Sequence, residues 1–160
     1  MKHYIKKFTD YLQAEKNASE HTLSSYQVDL RQFSAFLRET GHGHENGKFM
    51  LEKLDRLTVR SFMSHLYKNS YSGSTMGRKL ATLSSFFKFL CREGYMTANI
   101  AKSIPTPKKA EKLPEFLSVD DMFRLLELPD PKTFLGARDQ AILELFYSTG
   151  MRISELAPLK

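Results

Sequence analysis

STMGRKLATLSSFFKFLCREG, residues 74–94, decides the fold. Met76, Leu80, Leu83, Phe87 and Leu90 recur at the three- and four-residue spacing of an α-helix. The stretch therefore predicts one long helix from Ser74 to Arg92 with a single apolar stripe, stopped by Gly94. At about 100° per residue, the opposite side collects Ser74, Arg78, Ala81, Ser85, Lys88 and Arg92. Long cations at the margins reach phosphates, and short side chains between them let the backbone approach base edges, which is what a helix in a major groove requires. An ordinary solvated helix face has the same polar character, so this pattern alone leaves both readings open.

Working outward, the same period runs through most of the first hundred residues, and no alternating strand pattern of useful length interrupts it. A first helix over residues 2–16 carries Tyr4, Ile5, Phe8, Tyr11 and Leu12 on one side. A second follows Ser19 as N-cap, buries Leu23, Tyr26, Leu30, Phe33 and Leu37, and stops at Gly41. Its outward side, with Ser24, Ser25, Arg31 and Gln32, is a weaker version of the face on residues 74–92. GHGHENGKF, residues 41–49, reads as a polar loop. A third helix starts at Thr58 and buries Val59, Phe62, Met63, Leu66 and Tyr67.

After Gly94 the composition changes. Residues 97–116, TANIAKSIPTPKKAEKLPEF, hold three prolines and four lysines with little periodicity, and read as a short exit helix followed by an extended linker over 104–114. Ser118 and Asp121 form a capping box for a helix carrying Met122, Leu125 and Leu126. ARDQAILELFYSTG, residues 137–150, buries Ala141, Ile142, Leu145 and Phe146 and ends at Gly150; a further helix begins near Ile153. Two and a half helices do not enclose a core. The expectation is an all-α chain: a helical domain over 1–103, a linker, and over 115–160 the first helices of an incomplete second domain.

Charge narrows the function. Residues 1–100 hold 15 Lys/Arg against 9 Asp/Glu, whereas residues 101–160 hold 9 against 9, so the net +6 resides in the first part. Between Asp55 and Glu93 lie seven bases and no acid. A one-signed run interleaved with Tyr67 and Tyr71 suits a phosphate-tracking surface, because each neutralised phosphate releases counterions. No apolar run reaches the roughly 18 residues of a membrane span, and the single Cys91 forbids an internal disulfide, so a soluble cytoplasmic protein without a membrane partner is expected. Cys91 itself reads as a structural thiol inside a helix. His42, His44 and Glu45 are too few to specify a metal site, and no glycine-rich phosphate loop, GxSxG or HExxH is present.

Arg152 stands between the helix-stopping Gly150 and the next helix, a place from which its guanidinium and the first amides of that helix face one anion together. On spacing alone it is a surface arginine. ARDQAILELFYSTGMRISEL, residues 137–156, however, resembles the arginine motif of the tyrosine site-specific recombinases of the Xer and phage-integrase type. SEHTLSSYQVDLRQFSAFL (19–37) resembles the family's second helix, STMGRKLATLSSFFKFLCREG its fourth, and KLPEFLSVDDMFRLL (112–126) the approach to its catalytic domain. These matches run in the family's order and cover nearly the whole chain. One departure is Ile100, which follows Asn99 where the family pattern often has proline.

The resemblance implies that residues 1–103 are a SAM-like core-binding bundle of four to five helices, and that 115–160 begin an α+β catalytic domain. It implies that the second and fourth helices enter the major groove, and that Arg152 clamps the scissile phosphate with Glu155 in support. It further implies strand cutting and rejoining through a 3′-phosphotyrosine, which conserves the phosphodiester energy and uses neither nucleotide cofactor nor metal, on double-stranded DNA shared with other recombinase protomers. The family's remaining catalytic groups follow the arginine motif, so these 160 residues are expected to bind DNA without cleaving it; Tyr147, which precedes the motif, is not the nucleophile. The expected contacts are Thr22, Ser25 and Arg31 from the second helix and Arg78, Lys79, Ser85, Lys88 and Arg92 from the fourth. The residues by themselves also accommodate a stand-alone helical DNA-binding regulator, or an interaction module whose basic face meets an acidic protein.

Overall fold

The computed structural model describes residues 1–106, 113 and 115–159. The chain divides into two compact units, Met1–Glu111 and Lys112–Lys160. Of the expected 104–114 linker, residues 107–112 and 114 lie outside the described residues.

The first unit contains α1 (Lys2–Ala14), α2 (Glu20–Thr40), a hairpin of β1 (His44–Glu45) and β2 (Lys48–Phe49), a 3-10 turn (Leu51–Lys53), α3 (Arg56–Lys68) and α4 (Gly73–Arg92). α2, α3 and α4 are each begun by a side chain. Ser19 Oγ accepts the Thr22 amide, Asp55 Oδ1 accepts the Thr58 amide, and Ser72 Oγ accepts the Thr75 amide. Such caps satisfy amides that the first turn leaves without a partner. α2 ends where Gly41 turns left-handed.

α4 packs against α1, α2 and α3 and is the centre of the unit. Met76, Leu80, Leu83, Phe87 and Leu90 are buried as their spacing predicts, and so are Phe86 and Phe89, because three neighbours cover a wider arc than one stripe. Phe8 meets Phe86 edge-on at 5.5 Å between centroids, and Phe33 meets Phe62 at 5.1 Å and Phe87 at 6.2 Å. Edge-to-face pairs of this kind contribute about 0.5–1.5 kcal/mol each beyond their area.

Four local expectations change. The polar loop contains an antiparallel hairpin, His44 opposite Phe49 and Glu45 opposite Lys48. Asn46 and Gly47 both take positive φ, 49° and 75°, the requirement of a two-residue type I′ turn. α3 starts at Arg56 on an Asp55 cap rather than at Thr58, and Tyr67 is 76% exposed, since it lies a further 100° round from the buried Leu66. In place of an exit helix, turns follow α4: Asn99 Nδ2 donates to the Ser84 carbonyl at 2.9 Å and Asn99 Oδ1 accepts the Ala101 amide at 3.1 Å, which seats Ala101 in the core.

The second unit holds α5 (Val119–Glu127), α6 (Phe134–Thr149) and α7 (Ile153–Leu156). Ser118 caps α5 and Thr133 caps α6, whose first residue, Phe134, lies three residues upstream of the expected stretch. Met122, Leu125 and Leu126 face Leu143, Phe146 and Tyr147 across an open hollow of about 310 Å³. No described residue of these helices is buried: Ala141 is exposed, and Ile142, Leu145 and Phe146, expected inside, are half-covered, because two helices and one further turn shield only one side of each other.

Candidate nucleic-acid interface

The outer side of α4 presents Ser74, Arg78, Ala81, Lys88 and Arg92 to solvent, with Ser85 half-buried among them. At helical spacing the six lie within about 80° of arc, so one surface carries them all. Its C-terminal end borders an open hollow of about 710 Å³ that Tyr11, Lys16, Ser85, Lys88 and Arg92 help to line.

The three predicted arginine and lysine contacts of α4 other than Lys88 are each held differently. Arg78 Nη1 donates to Asp29 Oδ2 of α2, yet the Arg78 side chain stays 50% exposed. Lys79, expected among the outward contacts, is a correction: it points inward, with its side chain 5% exposed and its ammonium 2.8 Å from Asp29 Oδ1. The reason is position, since Lys79 and Thr82 lie on the side of α4 that meets α2, and both reach the same carboxylate; Thr82 Oγ1 donates to Asp29 Oδ2 at 3.0 Å. Burying a carboxylate is costly unless hydrogen-bond donors replace the water it loses, and three donors do so here. Arg92 is drawn to the surface acids: Nη1 lies 3.0 Å from Glu15 Oε2 and Nη2 2.9 Å from Glu93 Oε1. These hydrogen bonds, Glu15's first, raise its already high pKa, so the guanidinium keeps its charge at every working pH.

On α2, Thr22 and Ser25 are exposed on the arc that contains Asp29, with Thr22 Oγ1 2.9 Å from the capping Ser19 Oγ. Arg31 is exposed but lies about 180° round the helix from Thr22. It borders hollows shared with Lys2 and Ile5 of α1 and makes a long 3.4 Å contact to Gln27. The structure thus groups Arg78, Ser85, Lys88 and Arg92 on one face and leaves Arg31 on another. Asp29 is the residue that pattern reading passes over. Its signal is an acid four residues before Phe33, on the shoulder of an apolar stripe, in a domain whose fourth helix is acid-free until Glu93.

His42 Nδ1 lies 2.8 Å from Thr40 Oγ1, and His44 Nδ1 3.0 Å from the His42 carbonyl. Among the described residues there is no group of three or more His, Cys, Asp or Glu side chains placed to hold a metal. Among those residues, too, no helix is long and apolar enough to cross a membrane.

In the second unit, Gly150 closes α6 at φ 63°, and Arg152 takes an extended conformation at the start of α7. Its side chain is 82% exposed. Glu155 holds it twice: the Arg152 amide donates to Oε2 at 2.9 Å, and Nη1 reaches Oε1 at 3.4 Å. Glu155 therefore takes up the amide that opens the helix and leaves most of the guanidinium free to meet an anion.

Residues 5–94, which run from within α1 to just past the end of α4, match the family model described as phage integrase, N-terminal SAM-like domain. The chain is 41% identical over 157 residues to a tyrosine recombinase XerC of Oceanobacillus iheyensis, covering 98% of this chain and 50% of that protein. It is 40% identical over 156 residues to the tyrosine recombinase XerC of Thermodesulfovibrio yellowstonii (98% and 48%), and 36% identical over 156 residues to that of Bacillus subtilis (97% and 49%). The chain spans about half the length of the curated relatives it matches. A helical bundle centred on a basic fourth helix, matched by the family model over those same helices, places this chain in the phage integrase family of tyrosine recombinases.

Proposed function

We propose that residues 1–103 grip duplex DNA through the outer face of α4, with Thr22 and Ser25 of α2 beside it, and that the protein acts in the cytoplasm, where its DNA lies. Arg78, Lys88 and Arg92 supply the charge; Ala81 and Ser85 let the helix backbone approach the bases. The observation that carries this reading is that α4 exposes a continuous cationic side whose helix bears no acid of its own.

Arg152 serves a second task on this reading. In a tyrosine recombinase the phenolic oxygen attacks the scissile phosphorus and the 5′-oxygen leaves with a proton, giving a 3′-phosphotyrosine that a second 5′-hydroxyl later resolves. Negative charge gathers on the non-bridging oxygens as the phosphorus becomes five-coordinate, and a permanently charged, planar guanidinium stabilises it. Glu155 positions Arg152 from behind. Other protomers on the same DNA complete the assembly.

The test uses short duplexes and fluorescence anisotropy. Arg78→Ala with Lys88→Ala should weaken binding at least tenfold, while Arg152→Ala should leave it within about twofold. In a protein of the relatives' full length, Arg152→Ala should abolish strand cleavage. Equal cleavage with and without Arg152 would refute its role, and duplex binding indifferent to Arg78 and Lys88 would refute the interface.

A further inference from the structure

The Asp29 cluster contains more than neutrality requires. Asp29 is 1% exposed at its side chain and Lys79 5%, and this pair alone cancels its own charge. Lys79 is fixed in turn: its ammonium lies 5.7 Å from the centre of the Tyr71 ring, and Tyr71 accepts a 2.8 Å hydrogen bond from Gln32 Nε2. Buried ion pairs contribute little net stability against apolar residues of the same shape, so stability does not account for one here. Arg78 is the one cation of the cluster that reaches solvent, at 50% exposure, and it does so from the face proposed to meet DNA.

We propose that Asp29 is a positioning residue for DNA recognition: anchored in the core by Lys79 and Thr82, its carboxylate fixes the Arg78 guanidinium on the α4 surface. Only Nη1 of Arg78 is taken by Asp29. The Nε–Nη2 edge therefore stays open, and that edge offers two parallel donors to a pair of acceptors, either two phosphate oxygens or O6 and N7 of a guanine. A guanidinium already held in place loses less side-chain freedom on binding, and the direction of its free edge is set by the core rather than by solvent. This inference rests on the proposal that α4 meets DNA and adds the residue that aims its principal arginine.

The test compares Asp29→Asn with Lys79→Met as a double change, Arg78→Ala alone, and all three together. The double change removes one negative and one positive charge, so a purely electrostatic view predicts unchanged affinity. Positioning predicts that the double variant binds a G·C-containing duplex about tenfold more weakly, as Arg78→Ala does, and that the triple variant is no weaker than Arg78→Ala. Wild-type affinity in the double variant, or losses that simply add in the triple variant, would overturn the proposal while leaving the interface reading intact. Arg78→Ala that binds as wild type would overturn both. An A·T-only duplex separates the acceptors: an equal loss on it assigns the free edge to phosphate, and a loss confined to G·C-containing DNA assigns it to guanine. Should the double variant fail to fold, the Arg78 Nε–H signal in nitrogen-15 relaxation of the unbound wild-type protein decides; it should be as rigid as the backbone, and mobility equal to that of Arg38 would overturn the proposal.

Discussion

The Arg92 guanidinium lies over the ring of Tyr11, 3.9 Å from its centroid, so the end of α4 is clasped to α1 by a cation–π contact. Glu15, just past the end of α1, and Glu93 hold the same group from its edges. A phosphate approaching Arg92 competes with both carboxylates, which distinguishes this cation from the exposed Lys88 one turn before it.

Glu15→Gln removes one of those competitors together with a negative charge. It should therefore raise duplex affinity severalfold at low salt and steepen the dependence of log K on log salt by about one unit or less. Anisotropy titrations over a salt series measure both. A variant with unaltered affinity would mean that Arg92 faces no phosphate.

Phe8 is fully buried and meets rings from two other helices, Tyr26 of α2 and both Phe86 and Phe89 of α4. Phe8→Ala should cost about 3–5 kcal/mol, a large part of the roughly 5–15 kcal/mol that holds a domain folded. Urea unfolding followed by circular dichroism should show the midpoint falling with little change in slope.

Asp55 provides a pH test. The Thr58 amide, then the Thr58 hydroxyl, donate to its carboxylate and hold its pKa below the ordinary 3.8. A lowered carboxyl pKa in the folded state contributes stability that is present above the unfolded value and lost as pH falls through the folded one. Asp55→Ala should thus cost about 1 kcal/mol near neutrality, with the gap to wild type closing as pH falls below about 4. Asp55→Asn keeps an accepting cap but no titrating group, so wild type should lose stability relative to it over the same pH range. Urea midpoints across that range measure it.

Much of the bundle was legible because helix stripes and caps are local properties. Ser19, Gly41, Ser118 and Gly150 sit where their chemistry places a helix end. The hairpin was missed although Asn46-Gly47 announces a type I′ turn, since strands of two residues leave no alternation to detect. Lys79 shows the deeper limit. At about 100° per residue Lys79 stands close to the apolar stripe of α4, but the acid that receives it stands on α2, at Asp29. Long-range pairs of this kind are invisible to periodicity, and they decide which cations remain on the surface.

Arg31 tests the division of faces. It borders the α1 side of α2 with Lys2, away from Thr22 and Ser25. Arg31→Ala should therefore reduce duplex affinity less than twofold, against a much larger loss for Arg78→Ala. Comparable losses from the two would mean that DNA wraps around α2.

The most direct measurement is the salt dependence of duplex binding by the 160-residue chain with and without Arg78 and Lys88. Each lost phosphate contact should flatten the slope of log K against log salt by about 0.9, reaching about 1.8 where both cations meet phosphate, with the fold intact by circular dichroism. A slope unchanged by removing both cations, or wild-type binding that ignores salt altogether, would contradict the claim that the outer face of α4 holds DNA.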